Sequence, residues 1–131
     1  MNSSEKNSTI LVCGGAGYIG SHVVRHLHEH GYSVTVLDDL STGHAESLPD
    51  KVELVVGSIG NRELLGSVFS SGNICAIVDL CANAYVYESI INPRKYYENN
   101  VVNGLVLLET MLDFNIRHIV FSSSCTVYGN K

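Results

Sequence analysis

The feature that most restricts the fold of this chain is a glycine-rich segment between a short apolar run and a helix-length segment. Gly14, Gly17 and Gly20 have the spacing GxxGxxG. The first glycine permits a tight turn, the second lets the backbone approach a ligand, and the third lets a helix pack closely on a strand. The N–H groups and partial positive charge of a helix N-terminus favour phosphate. The segment 14–20 therefore predicts a loop that holds the pyrophosphate of a dinucleotide.

The segments around this loop have the order that a dinucleotide-binding motif requires. Thr9–Cys13 predicts a strand, Ser21–His30 a helix and Ser33–Leu37 a second strand. Asp38 follows that strand, where an acidic side chain accepts hydrogen bonds from the adenosine ribose. A carboxylate there would repel a 2′-phosphate and no arginine follows it, so we expect NAD rather than NADP. The alternative is a glycine turn beside two solvated carboxylates, and we interpret Asp39 as a loop carboxylate.

The rest of the chain alternates apolar runs with helix-length segments, which is typical of a parallel sheet with crossover helices. Further strands are predicted at Val52–Val56, Ile74–Leu80 and His118–Ser122, and helices at Arg62–Phe69, capped by Asn61, and from Pro93 to about Phe114. Right-handed crossovers then predict an α/β fold, a Rossmann-like doubly wound parallel sheet with strand order 3-2-1-4-5. We expect residues 1–8 to be a disordered leader and 9–131 to form the N-terminal part of an NAD-binding Rossmann domain, without a substrate domain.

Charge and cysteine usage exclude several other classes. The net charge is −5 and the basic residues are scattered, which argues against nucleic acid or an anionic membrane as a partner. No apolar run approaches the roughly 20 residues of a membrane span. The cysteines lack CxxC spacing and lie in or beside apolar runs, so we expect buried, reduced thiols and a cytoplasmic protein; they are Cys13, Cys75, Cys81 and Cys125. His26 and His30 have a spacing that can bind metal, but no third ligand is evident, so no metal site is predicted.

The helix predicted at 93–114 is apolar over far more than one face. Its apolar residues are Val101, Val102, Leu105, Val106, Leu107, Leu108, Met111 and Leu112. A helix that packs only on its own sheet needs a narrower apolar stripe. Either a second layer of the same chain covers the helix, or a partner subunit does. We expect a homodimer through helix 93–114.

Several phrases of the sequence resemble UDP-glucose (UDP-galactose) 4-epimerases, which are extended short-chain dehydrogenase/reductase proteins. The first is the segment from Gly14 to His22, and the others are Leu37–Leu40, Val86–Ser89, Pro93–Val101 and Phe121–Gly129. The resemblance covers nearly the whole chain from Thr9. Sugar-nucleotide dehydratases share the glycine loop, but Tyr-Tyr-x-Asn-Asn-Val and Ser-Ser-Ser-x-Thr-Val-Tyr-Gly are similar to epimerases in particular.

The resemblance implies a reaction and a set of site residues. In the family, NAD takes hydride from C4 of the hexose, the 4-ketose rotates, and hydride returns to its other face. A Tyr in a Tyr-x-x-x-Lys motif moves the hydroxyl proton, and Ser124 matches the hydroxyl that assists it; a strand-end serine that bonds the backbone is the alternative. Asn99 would lie near the nicotinamide, or would be a structural asparagine within a helix. The implied NAD contacts are Gly14, Ala16, Gly17, Tyr18, Ile19, Gly20, Asp38, Ser58, Ile59, Leu80, Cys81, Asn99 and Ser122.

The sequence also departs from the family pattern. Ser58 stands where the family usually has the Asp that holds the adenine, Asp79 replaces a common His, and Ala84 replaces a frequent Lys. Together these changes predict weaker binding of NAD or relaxed selection on the site.

The catalytic Tyr and Lys of the family would follow Ser124 on the next helix and are absent from this sequence. Tyr128 has no Lys four residues later, so it is not the base. We expect that this chain alone does not epimerise, that a UDP-sugar is a partner only of a longer protein, and that some apolar sheet and helix surface is exposed. Two alternatives are a non-catalytic module that binds NAD or a protein partner, and part of a related sugar-nucleotide dehydratase.

Overall fold

The computed structural model describes residues 8–129, apart from the side chain of Cys125. Five parallel strands form one sheet in the order β3-β2-β1-β4-β5. The strands are β1 (Thr9–Cys13), β2 (Ser33–Asp38), β3 (Glu53–Val56), β4 (Ile74–Asp79) and β5 (Ile119–Phe121). This confirms the predicted α/β class and strand order, with strand ends that differ from the predicted ones by at most one residue. The predicted leader lies outside the described residues except for Ser8.

The sheet carries helices on both faces because its central strands alternate their apolar side chains between the two sides. In β1, Leu11 and Val12 are both fully buried but belong to different clusters. Val12 packs with residues of helix α1 (Tyr18–Glu29), whereas Leu11 packs on the opposite face with residues of α2 (Arg62–Ser71) and α5 (Asn103–Asp113). The fold is therefore doubly wound around two cores.

Helix α1 begins three residues earlier than predicted. Gly17 is its N-cap, with an extended backbone (ψ 176°), so the helical conformation starts at Tyr18 and takes in Gly20. Helix α2 begins at the predicted residue, and the Asn61 side chain accepts a hydrogen bond of 3.1 Å from the Leu64 N–H, which confirms the predicted cap. The glycine loop is thus shorter than the GxxGxxG pattern, because the pattern spans the turn and the first helical residues.

The helix predicted from Pro93 to about Phe114 is not uniform. It consists of α4 (Pro93–Tyr97), a π-helical turn (Glu98–Val102) and α5. In the π-helical turn, the Asn103 N–H bonds the Glu98 carbonyl, five residues back. A short helix that the sequence did not predict, α3 (Val86–Ile91), precedes α4.

Apolar side chains of α3 such as Tyr87 and Ile90 are exposed. Two further apolar surfaces, one on a helix and one on the sheet, are exposed as the sequence predicts. One is a stripe along the π-helical turn and α5, formed by Val101, Leu105, Leu108 and Leu112, and we name it the outer stripe. Leu107 and Met111 on the opposite side of α5 are buried in the core. The other surface lies on β5, where Val120 and Phe121 are each 65% exposed. Neither surface is covered by another described part of the chain.

The prediction that the cysteines are buried is right for one of the three described thiols. Cys13 is fully buried, Cys81 is partly buried and Cys75 is exposed. Cys75 is exposed because the pairing of β1 with β4 shifts between Thr9 and Ile10, so that Cys75 falls between the paired residues Ile74 and Ala76. The three described thiols are free. The cytoplasmic location stays a prediction.

Two further features concern membranes and metals. Within residues 8–129, no helix combines the length and the hydropathy needed to cross a membrane. In the same range, no three side chains of His, Cys, Asp or Glu converge as metal ligands would. The His26 and His30 rings lie against each other, with centroids 4.2 Å apart.

Candidate cofactor site

A cleft lies at the carboxyl ends of the strands, where the sheet order reverses between β1 and β4. Ligands of doubly wound sheets bind at this point, because the loops that follow the two strands diverge there. The cleft has a volume of about 100 Å³ and opens to solvent, so it is smaller than the ~300–1,000 Å³ usual for small-molecule sites. Its lining residues are Gly14, Gly17, Asp38, Asp39, Ser41, Thr42, Gly57, Ser58, Ile59, Leu80, Cys81, Ala82, Asn83 and Asn99.

Two of the loop glycines are required by the protein's own backbone. Gly14 has a φ of +76°, a conformation that side chains disfavour, and a Cβ there would lie 3.0 Å from the Leu80 carbonyl group. A Cβ at Gly20 would collide with the Gly14 carbonyl oxygen. These contacts bring the start of α1 close to the end of β1 and fix the turn between them.

The middle glycine, Gly17, has no such requirement. Its backbone is extended, and a Cβ there would make only an ordinary contact of 3.4 Å, with the Gly14 carbonyl oxygen. Gly17 lines the cleft at the N-terminus of α1, and no described side chain caps that helix or adds an acidic group to its first turn. The helix therefore presents its positive end and its first N–H groups to a space that a side chain at Gly17 would enter.

Asp38 fixes the other side of this loop. Its carboxylate is 7% exposed and accepts hydrogen bonds of 2.9 Å from the Ala16 N–H and from the Leu40 N–H, one at each oxygen. A carboxylate oxygen has two lone pairs, so each oxygen keeps one for a further donor. Asp38 thus joins the glycine loop to the end of β2 and can still accept from hydroxyl groups in the cleft.

The predicted contacts divide into two groups in the structure. Eight line the cleft: Gly14, Gly17, Asp38, Ser58, Ile59, Leu80, Cys81 and Asn99. Of the others, Ala16 is buried behind the loop, Gly20 is buried under it, and Tyr18 and Ile19 are exposed in the first turn of α1. Ser122 is exposed after β5, and its N–H bonds the Asp79 carbonyl oxygen.

Ser124, the predicted assisting hydroxyl, is exposed and does not line the cleft. Its Oγ accepts a hydrogen bond of 3.2 Å from the Thr126 N–H and lies 2.7 Å from the Thr126 hydroxyl. Ser124 thereby caps the short 3-10 helix Cys125–Tyr128. Ser124 thus makes the hydrogen bond to the backbone that the alternative interpretation predicted, and its catalytic role stays a prediction.

Burial changes the electrostatics beneath the cleft. The Asp79 side chain is buried at the end of β4, and its pKa is raised because burial disfavours the charged carboxylate, although the Cys81 N–H donates to it at 3.0 Å. Burial raises the pKa of the Cys13 thiol and that of the Cys81 thiol, and nearby carboxylates raise both further. Both thiols are therefore protonated and unreactive at neutral pH.

The residues that depart from the family pattern have different surroundings. The Ser58 hydroxyl accepts a hydrogen bond of 3.1 Å from the Gly60 N–H and lines the cleft beyond β3. Asp79 points into the protein, and Ala84 is exposed outside the lining. Of the three departures, only Ser58 thus changes a side chain in the wall of the cleft.

Sequence reasoning missed part of the lining. Ser41 and Thr42 come from the loop after β2, Gly57 follows β3, and Ala82 and Asn83 follow β4. Asp39 also lines the cleft, with its carboxylate accepting from the Ser41 N–H at 2.9 Å. The available signal was positional, because each segment directly follows the carboxyl end of a predicted strand.

Comparisons with known proteins agree with this geometry. The sequence model of the NAD dependent epimerase/dehydratase family matches residues 10–131. A curated UDP-glucose 4-epimerase of Halalkalibacterium halodurans is 47% identical over 120 residues, which is 92% of this chain and 36% of that protein. A solved UDP-glucose 4-epimerase of Brucella ovis in complex with NAD has a TM-score of 0.88 and 38% identity, over 94% of this chain and 38% of that one. A solved UDP-glucose 4-epimerase of Thermotoga maritima with UDP-glucose has a TM-score of 0.84 and 39% identity, over 88% and 37%. The chain spans about a third of the length of the curated relatives it matches.

Proposed function

Since the chain belongs to the NAD dependent epimerase/dehydratase family, we propose that its cleft binds NAD, with the pyrophosphate at the N-terminus of α1 and the adenosine ribose at Asp38. The observation that carries this proposal is the space at Gly17, which no packing contact of the protein explains. The spare lone pairs of the Asp38 carboxylate suit the two hydroxyls of a ribose and disfavour a 2′-phosphate. The residues of this cleft therefore fit the dinucleotide.

Calorimetric titration of the purified chain with NAD and with NADP tests this proposal. We expect NAD to bind at least about tenfold more tightly than NADP, a difference of about 1.4 kcal/mol. Asp38→Ser should weaken NAD binding and reduce the preference, because it removes the carboxylate from the ribose. Equal binding of NAD and NADP by the unchanged chain would contradict the assignment of Asp38, and the absence of heat with NAD would contradict the cofactor itself.

We further propose that this chain is the cofactor-binding part of a UDP-glucose 4-epimerase-like protein, which interconverts UDP-glucose and UDP-galactose through a 4-keto sugar. Bound NAD would supply the hydride acceptor and donor that such an exchange needs. The chain's own part would be to orient the cofactor through the α1 N-terminus and Asp38, and to hold a hydroxyl near the sugar through Ser124. The similarity to several UDP-glucose 4-epimerases supports this reaction over that of a dehydratase.

A chimeric enzyme separates the reaction from cofactor binding. Residues 10–129 of this chain would replace the matching segment of the Halalkalibacterium halodurans epimerase, with which the chain shares 47% identity. We expect the chimera to convert UDP-galactose to UDP-glucose and to leave dTDP-glucose unchanged, with the parent enzyme as the control. A folded chimera that binds NAD without converting UDP-galactose would favour a non-catalytic module instead.

We also propose that the outer stripe forms a homodimer interface with a second copy of the chain. Val101, Leu105, Leu108 and Leu112 recur every three or four residues, so they share one face, and each is at least 44% exposed. Contiguous exposed apolar surface of this kind usually marks an interface. Sedimentation velocity at several protein concentrations tests the proposal, and a single species of monomer mass at every concentration would contradict it.

A further inference from the structure

The loop between β4 and α3, residues 80–85, forms part of the cleft without regular secondary structure. Such a loop keeps one conformation only if its backbone groups find partners elsewhere. At its first end, the Leu80 N–H bonds the Cys13 carbonyl and the Cys81 N–H bonds the Asp79 carboxylate, each at 3.0 Å. The start of the loop is therefore attached to β1 and β4.

The Asn83 peptide, within the loop, is held by one side chain. The Asn83 N–H donates to Asn100 Oδ1 at 2.9 Å, and Asn100 Nδ2 donates to the Asn83 carbonyl oxygen at 2.9 Å. Both backbone groups of Asn83 are thus paired with the amide of Asn100, which lies 17 residues later. A paired contact of this kind fixes the orientation of the peptide as well as its position.

The π-helical turn places a second asparagine beside the first. Asn99 Nδ2 donates to Asn100 Oδ1 at 2.9 Å, so this oxygen accepts two hydrogen bonds and uses both of its lone pairs. Asn99 and Asn83 both line the cleft, whereas Asn100 does not. Single π-helical turns within helices are frequent at functional sites. Asn100 therefore connects two residues of the cleft wall without itself facing the ligand.

We propose that Asn100 is a positioning residue of the cofactor site, and that it holds the loop 80–85 and Asn99 against the nicotinamide half of the dinucleotide. The proposal rests on the proposed binding of NAD. If Asp38 at the end of β2 receives the adenosine ribose, the rest of the dinucleotide extends across the reversal of strand order toward β4. The loop after β4 then faces the nicotinamide half, and Asn100 affects that half through Asn83 and Asn99.

The test compares NAD with AMP, which contains only the adenosine half and one phosphate. Calorimetry on Asn100→Leu should show NAD binding weakened about tenfold, equivalent to about 1.4 kcal/mol, and AMP binding changed by less than about twofold. Asn100→Asp keeps both accepted hydrogen bonds but places a carboxylate oxygen against the Asn83 carbonyl oxygen, so it should also weaken NAD binding and leave AMP binding nearly unchanged. In hydrogen exchange without ligand, the backbone amide of Asn83 should exchange faster in Asn100→Leu.

The variants should fold, because Asn100 is exposed and Asn83 only partly buried, so no deeply buried polar group loses its partner. Val68→Ala is the control: Val68 does not line the cleft, and its truncation loosens the core beneath α2, so it should lower the Tm without changing either affinity. The proposal would be overturned if Asn100→Leu left the NAD affinity unchanged, or if it weakened NAD and AMP binding equally. Neither result would contradict NAD binding by the unchanged chain. If the unchanged chain does not bind NAD, the proposed function fails, and this inference fails with it.

Discussion

At the scale of single residues, the glycines of the loop have separable roles. Gly20→Ala should lower the free energy of unfolding by about 3 kcal/mol or more, because its Cβ collides with the Gly14 carbonyl. Gly17→Ala should lower it by less than about 1 kcal/mol, because the N-cap backbone is extended and the space beside it is open. Urea denaturation measures both effects.

NAD titration of the same two variants gives the complementary result. Gly17→Ala should weaken NAD binding by at least about tenfold, since the added methyl group enters the space assigned to the pyrophosphate. A Gly17→Ala chain that is stable and binds NAD as tightly as the unchanged chain would contradict that assignment.

Asp79 makes stability depend on pH. Burial raises its pKa in the folded chain above the ordinary value near 3.9 of an unfolded chain. At pH values between the two pKa values, the folded state therefore binds more protons than the unfolded state does. Stability from this residue is fully present below the ordinary pKa, and it is lost as the pH rises through the raised one. Asp79→Asn should therefore increase the free energy of unfolding at pH 7 and give no increase near pH 3.5. Urea denaturation across this range is the measurement, and an equal effect at both pH values would contradict the proposed cause.

Sequence reasoning was more successful with backbone requirements than with side-chain surroundings. The glycine turn and the place of Asp38 follow from spacing, because few conformations connect a strand to a helix in so few residues. The exposure of Cys75 depends on an irregularity in the pairing of β1 with β4, which no local pattern signals. The role of Asn100 depends on its contact with Asn83, a residue far away in sequence. Contacts of that kind are decided by the fold as a whole.

At the scale of elements, α5 has two apolar sides with different consequences. Leu107 is fully buried between the sheet and α2, so Leu107→Ala should lower the free energy of unfolding by about 2–5 kcal/mol. Leu112 on the outer stripe is 70% exposed, so Leu112→Ala should change the stability of a monomer by less than about 0.5 kcal/mol. Thermal unfolding at low protein concentration compares the two variants, and similar losses would show that the outer stripe is packed against the core.

The π-helical turn explains why the element prediction was only partly right. Periodicity located the apolar residues of the segment 93–114 but not the interruption at Glu98–Val102, since a single inserted residue changes the pattern very little. The interruption falls where Asn99 and Asn100 connect the helix to the cleft. The one irregular turn of this segment is thus also the turn that contributes to the site.

At the scale of the whole molecule, the outer stripe links assembly to stability. If two copies associate through it, the folded state is stabilised by mass action and the Tm rises with protein concentration. Leu105 is 54% exposed in the middle of the stripe, and Leu105→Glu should abolish association because it places a charge in the apolar contact. The variant should therefore sediment as a monomer, with a Tm that no longer depends on concentration. Glu29→Gln, which changes the charge of an exposed residue of α1 on the opposite face of the sheet, is the control and should leave association unchanged. A concentration-dependent Tm that survives Leu105→Glu would place the contact on a different surface, such as the exposed strand β5.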